Sequence, residues 1–254
     1  MDSETCFLTL PDRRLAYQQC RGAVDKNSKK APDILFLGGF ASDMTGSKAK
    51  FLNQECRTAN RGYLRFDYRG HGQSSGRFED GTIGDWFDDA LTVFDRLTEG
   101  PQLVIGSSMG GWIGLLLARA RPERVAGFIG IAAAPDFTEE LIVPTLTPVQ
   151  REQLEREGAI YDDEAPPDRR APMTKKLIDE ARGRLVLREP LVLRGPAHLL
   201  QGQMDRDVPW QHALKIAERL TAPSVRVTLI KDGDHSLSRP EDLSLLWHVI
   251  QGFF

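Results

Sequence analysis

Short runs of branched and aromatic residues alternate along this chain with longer stretches in which apolar positions recur every three or four residues. The short runs are Cys6 to Leu10, Arg14 to Gln19, Ile34 to Leu37, Tyr63 to Phe66, Leu103 to Ile105, Val125 to Ile131, Ala197 to Gln201 and Val225 to Ile230. Their length and composition predict strands, and Pro11-Asp12-Arg13 between the first two predicts a hairpin. Helical periodicity covers Gly46 to Ala59, Thr82 to Leu97, Met109 to Ala120, Trp210 to Leu220 and Glu241 to Phe254. Strands alternating with helices of this length predict an α/β fold with a mostly parallel central sheet of about eight strands and helices on both faces.

One segment breaks the rhythm. From Asp136 to about Pro196 no strand is followed by a returning helix, and Pro144, Pro148, Pro166, Pro167, Pro172 and Pro190 stand among charged residues. We read 136–196 as a lid insertion over the carboxyl edge of the sheet. Phe137, Leu141, Ile142, Val143, Leu146 and Val149 are expected to turn toward a ligand there. The 254 residues, 41% hydrophobic, suffice for one core, so the expected organisation is a single domain over 1–254 carrying this insertion.

Charge narrows the partners. A formal net charge of −3 provides no basic surface for nucleic acid or an anionic membrane. No apolar run approaches the length of a membrane span. Cys6, Cys20 and Cys56 are odd in number and lack metal or redox spacing, which predicts reduced and mostly buried thiols. Met1-Asp-Ser-Glu-Thr shows neither a secretory core nor an Arg-rich transit pattern, and the expected location is cytoplasmic.

The chemistry concentrates in Gly106-x-Ser108-x-Gly110, which follows the apolar run Leu103-Val-Ile105 and leads into a helical pattern. A serine held on a sharp strand-to-helix turn projects its hydroxyl, and the crowded backbone leaves room only for glycine two residues either side. A serine nucleophile needs a base, and the base needs a partner that holds its tautomer. His71 precedes the serine, while His198, His212 and His248 fall in predicted regular elements. His235, in the loop after the last strand, is the candidate base. Among the acids that follow strands, Asp205 after Gly202 is favoured over Asp207, with Asp136 as a third choice. The backbone N–H groups of Met109 and of Phe40, in Leu37-Gly-Gly-Phe40, are the expected oxyanion donors.

Together these residues resemble the α/β-hydrolase fold family. Asp67-Tyr-Arg-Gly-His-Gly-Gln-Ser74 is similar to a structural loop of that family, Gly202-x-x-Asp205-x-x-Val-Pro209 to its acid motif, and Gly233-Asp-His235 to its histidine loop. Arg65-Phe-Asp-Tyr68, Gly202 to Trp210 and Asp234-His235 further resemble the mitochondrial palmitoyl-protein thioesterase group that also cleaves acyl glucuronides. Gly38-Gly39 departs from the family habit of a histidine before the oxyanion glycine, and the N-terminus suggests a bacterial-type relative. The likeness implies a serine hydrolase of acyl esters or thioesters without metal or cofactor, acting on small molecules or an acylated protein. Other acyl-transfer, amidase or lyase chemistry, or a receptor without turnover, are the alternatives. A histidine base further predicts activity that rises with pH across about 6 to 7.5.

Overall fold

The computed structural model describes residues 4–22, 32–161 and 171–254, so Met1 to Ser3 and the prolines at 166 and 167 lie outside the described residues. Eight strands form one sheet: β1 (Cys6–Thr9), β2 (Arg14–Cys20), β3 (Asp33–Leu37), β4 (Tyr63–Phe66), β5 (Gln102–Ser107), β6 (Val125–Ile131), β7 (Ala197–Gly202) and β8 (Val225–Ile230). Their spatial order is β1-β2-β4-β3-β5-β6-β7-β8. β2 runs antiparallel to both β1 and β4, and every pairing from β4 onward is parallel.

The central strands are buried along their whole length, as strands covered on both faces must be. Alternation then sorts their side chains. Leu35, Leu37 and Val104 point into a core shared with α2 (Ile83–Leu97), α3 (Met109–Ala120) and α6 (Gln211–Arg219), whereas Ile34, Phe36, Leu103 and Ile105 point into a second core with α1 (Ser47–Thr58) and α7 (Pro240–Gln251). The consequence is a rigid platform whose carboxyl edge carries the loops after β3, β5, β7 and β8.

The described part of the insertion is more regular than the prolines in it suggest. A π-helical turn (Thr138–Ile142) and a 3-10 turn (Val143–Thr145) lead into α4 (Pro148–Glu157), and α5 (Lys175–Ala181) follows the paired two-residue strands Ala159–Ile160 and Met173–Thr174. Both helices were missed from periodicity. Yet α4 carries local signals: a capping box between Thr147 and Gln150, Pro148 in the first turn, and Gly158 at φ 76° ending it. The insertion owns a small core of Leu154, Ile160 and Ile178, on which Val143 and Leu146 pack. Those two residues therefore do not line the recess at Ser108, and Val149, 74% exposed in the first turn of α4, points to solvent.

Element ends also shifted. α6 stops at Arg219 because Leu220 pairs with Leu191, and α7 stops at Gln251, short of Phe254. Of the three free thiols only Cys56 is buried, and Cys6 is exposed on the edge strand. Asp136, third choice as the acid, serves the fold instead. Its buried carboxylate accepts the N–H groups of Val186 (2.8 Å) and Leu187 (2.8 Å), tying the start of the insertion to the segment after α5. Burial pushes its pKa up, against the pull of those two N–H donors.

Candidate active site

Ser108 sits between β5 and α3 with φ 52° and ψ −120°, a conformation that side chains rarely adopt. The turn is crowded. A Cβ at Gly106 would stand 2.3 Å from the carbonyl oxygen of Gly110, and a Cβ at Gly110 would stand 2.2 Å from that of Leu37. Backbone hydrogen bonds secure the serine: its N–H donates to Ile131 O (2.9 Å), while its carbonyl accepts from Gly111 (2.8 Å) and Ala134 (3.0 Å).

The loops after β7 and β8 close on this turn. Gly202 lies so near Gly233 that a Cβ there would meet the latter's carbonyl oxygen at 2.3 Å, and Met204 N–H donates to that same oxygen at 2.9 Å. This contact sets the acid loop beside the histidine loop. His235 Nε2 lies 3.1 Å from Ser108 Oγ, and His235 Nδ1 lies 2.9 Å from Asp205 Oδ2. Asp205 Oδ1 accepts the N–H groups of Asp207 and Val208, each at 2.9 Å. Burial alone pushes the Asp205 carboxyl up, but His235 and those two amides outweigh it and hold the pKa below the usual value. The Asp205 side chain is fully buried, whereas that of His235 is 27% exposed and can meet a substrate.

The structure thus brings Ser108, His235 and Asp205 into one hydrogen-bonded chain. Residues 34–244 match the model of the alpha/beta hydrolase family. The chain belongs to that family. It is 37% identical to the mitochondrial palmitoyl-protein thioesterase ABHD10 of Mus musculus over 91% of this chain and 76% of that protein. A solved structure from Agrobacterium vitis S4 superposes with a TM-score of 0.91 at 39% identity, covering 98% of each chain. The mouse alpha/beta hydrolase domain-containing protein 10 superposes with a TM-score of 0.86 at 35% identity, again over 98% of each. The mitochondrial address of the mammalian relatives lends no support to a cytoplasmic one here.

In this hydrolase-family chain the remaining candidates separate clearly. Asp207 is exposed and contributes its backbone to Asp205 rather than its carboxylate to His235. Asp205, Asp207 and His235 lie close enough to share a cation, but Asp205 Oδ2 and Oδ1 already accept from His235 and two amides. His71 donates from Nδ1 toward Arg69 O and packs against Phe78 and Trp86, and burial pushes its imidazole pKa down. His198 pairs with Thr228 Oγ1 and His212 with Pro135 O, so both are occupied within the fold. The Asp67 loop is structural as expected, its carboxylate accepting Met44 and Gln73 N–H.

Met109 is the first residue of α3, where an N–H has no partner in its own helix, and Phe40 lines the same recess as Ser108 and Met109. Phe40 is braced by edge-to-face contacts with Phe78, Trp86 and Phe137 at 4.9, 5.9 and 6.0 Å. Sequence reasoning had no means of finding this aromatic support, because its members are spread over three segments.

Ser108 stands at the junction of two recesses. One is apolar, walled by Phe137, Leu141, Ile142, Met173 and Val208; the other is mixed, setting Ser42, Asp43, Ser47, Lys48 and Ser236 beside Phe36, Phe40 and Ala49. Lys48, also missed, donates from Nζ to Ser236 O, next to His235, and lies 3.4 Å from Ser238 Oγ. Burial lowers its pKa to about 8, against the opposing pull of Asp234 and Asp242. Between about 8 and the ordinary lysine value of 10.5 the unfolded chain binds the extra proton, so this group adds stability as pH rises through that window. Urea denaturation from pH 7 to 10.5 should show the wild type gaining on Lys48→Met over that interval. A gap that stays flat with pH would refute the lowered lysine pKa.

Proposed function

We propose that this chain is a serine hydrolase that cleaves carboxylic ester or thioester bonds of acyl substrates. The observation that carries the reading is the Ser108–His235–Asp205 chain of hydrogen bonds at the mouth of an apolar recess. In this reading the acyl tail lies along Phe137, Leu141 and Ile142. Ser108 Oγ attacks the acyl carbon as His235 Nε2 takes its proton, and Asp205 steadies the imidazolium. The N–H groups of Met109 and Phe40 receive the charge that develops on the carbonyl oxygen. His235 returns the proton to the departing alkoxide or thiolate, leaving an acyl-serine. Water, deprotonated by the same Nε2, then attacks the ester carbon and frees the carboxylate product, with the proton restored to Ser108.

The names of the relatives favour a long-chain acyl thioester within this class, whether on a small molecule or on an acylated protein. The test is a series of p-nitrophenyl esters and matching acyl thioesters from acetyl to palmitoyl. Turnover above background that rises with chain length is expected. Ester and thioester rates at background throughout, with no fluorophosphonate labelling, would leave a receptor on the same fold. Amide turnover that exceeds ester turnover would point to amidase chemistry instead.

A further inference from the structure

Gln201 occupies the next-to-last position of β7 and is 1% exposed, a place where an apolar side chain would ordinarily pack. Its Nε2 donates to Asp205 Oδ2 at 2.8 Å and to Val208 O at 3.0 Å, with Gly202 O farther away at 3.4 Å. Oδ2 is the same atom that accepts from His235 Nδ1. The other end of the amide, Oε1, is buried and has no hydrogen-bond partner among the described residues. Turning the amide over would set Oε1 against the same acceptors, so this orientation is the one the surroundings allow. A buried glutamine therefore turns its nitrogen, and not its oxygen, to Asp205.

We propose that Gln201 is a positioning residue for the reaction, acting through Asp205; this rests on the reading of Ser108, His235 and Asp205 given above. Two consequences follow from one bond. The first is geometric: Val208 O and Asp205 Oδ2 are bridged by one rigid amide, which keeps the carboxylate in the orientation His235 requires. The second is electrostatic. A neutral donor on Oδ2 draws off part of the carboxylate's charge, so the pull on the imidazolium is moderated without being lost.

Gln201→Met keeps the volume and removes the donor. The expected result is a fall in kcat of roughly ten- to hundredfold with KM little changed. The acid limb of the kcat/KM profile should also move to higher pH by about half a unit to one unit, because the unshared carboxylate holds the imidazolium more tightly. In an Asp205→Asn background the same change should cost less than about twofold, since the asparagine turns an NH₂ toward Gln201 and no longer accepts from it. A merely structural glutamine would lower activity equally in both backgrounds and leave the limb where it was; that outcome overturns the proposal.

Should Gln201→Met fail to fold, side-chain amide NMR of the wild type decides. A downfield Gln201 amide proton that moves upfield in Asp205→Asn supports the bond, and an unmoved resonance overturns it. A wild type that neither turns over acyl substrates nor labels at Ser108 defeats the functional reading, and the proposal with it. An active wild type with an unmoved acid limb in Gln201→Met defeats the proposal alone.

Discussion

Ser108→Ala lowers acyl ester or thioester turnover by at least about 10⁴-fold and abolishes fluorophosphonate labelling, while the urea midpoint stays close to that of the wild type. The size follows from the loss of the attacking oxygen, for which a water in the same recess is a poor substitute. The stability side follows from the backbone. Alanine at φ 52° is as strained as serine, and the bonds that secure the turn are made by the main chain, which the substitution leaves in place. Ser108→Gly separates the two effects: activity is lost equally, but relief of the left-handed strain should raise stability by about 1 kcal/mol. Initial rates and urea denaturation on the same preparations test both statements. Alanine variant turnover within tenfold of wild type would remove Ser108 from the mechanism.

Asp205→Asn comes next, with kcat lowered about 10³- to 10⁴-fold. The asparagine oxygen is drawn to the N–H groups of Asp207 and Val208, which leaves its NH₂ facing both His235 Nδ1 and Gln201 Nε2. That NH₂ can only donate, so it selects the imidazole tautomer whose proton sits on Nε2. Such a ring presents a proton to Ser108 Oγ where it should accept one, and general-base catalysis stops. The neighbouring acids supply the contrast. Asp207→Asn should stay within about threefold of wild type, because Asp207 assists through its backbone N–H. A steady-state comparison of the two variants at one pH is sufficient. Comparable losses in both would reopen the assignment of the acid.

Much of the site was legible in the sequence because its demands are local or ordinal. A strained turn needs glycines at fixed spacing, so Gly106, Ser108 and Gly110 announce themselves. The acid and the histidine are expected in loops after later strands, where His235 is the one histidine in the loop after the last strand and Asp205 shares its loop with Asp207. The other four histidines could be set aside from their places in the chain, and the structure shows three of them, His71, His198 and His212, hydrogen-bonded within the fold.

The failures have a common cause. Phe137, Leu141 and Ile142 do line the apolar recess, whereas Val143, Leu146 and Val149, equally apolar and a few residues later, do not. What separates them is the passage from a π-helical turn to a 3-10 turn and then to α4, which rotates the later side chains away from Ser108. Pro144 and Pro148 masked the helix that follows, although Thr147, Gln150 and Gly158 marked its two ends.

By itself, then, the sequence determined the order of the eight sheet strands and of the helices outside the insertion, the strained turn at Ser108 and the candidates for base and acid, because backbone sterics and chain order act over a few residues. Only the tertiary structure decided that Gln201 shares the Asp205 oxygen used by His235, that Lys48 holds the carbonyl next to His235, and that three aromatic side chains brace Phe40. Those contacts join residues from separate segments, in directions set by how the whole sheet packs. No local pattern encodes a direction of that kind.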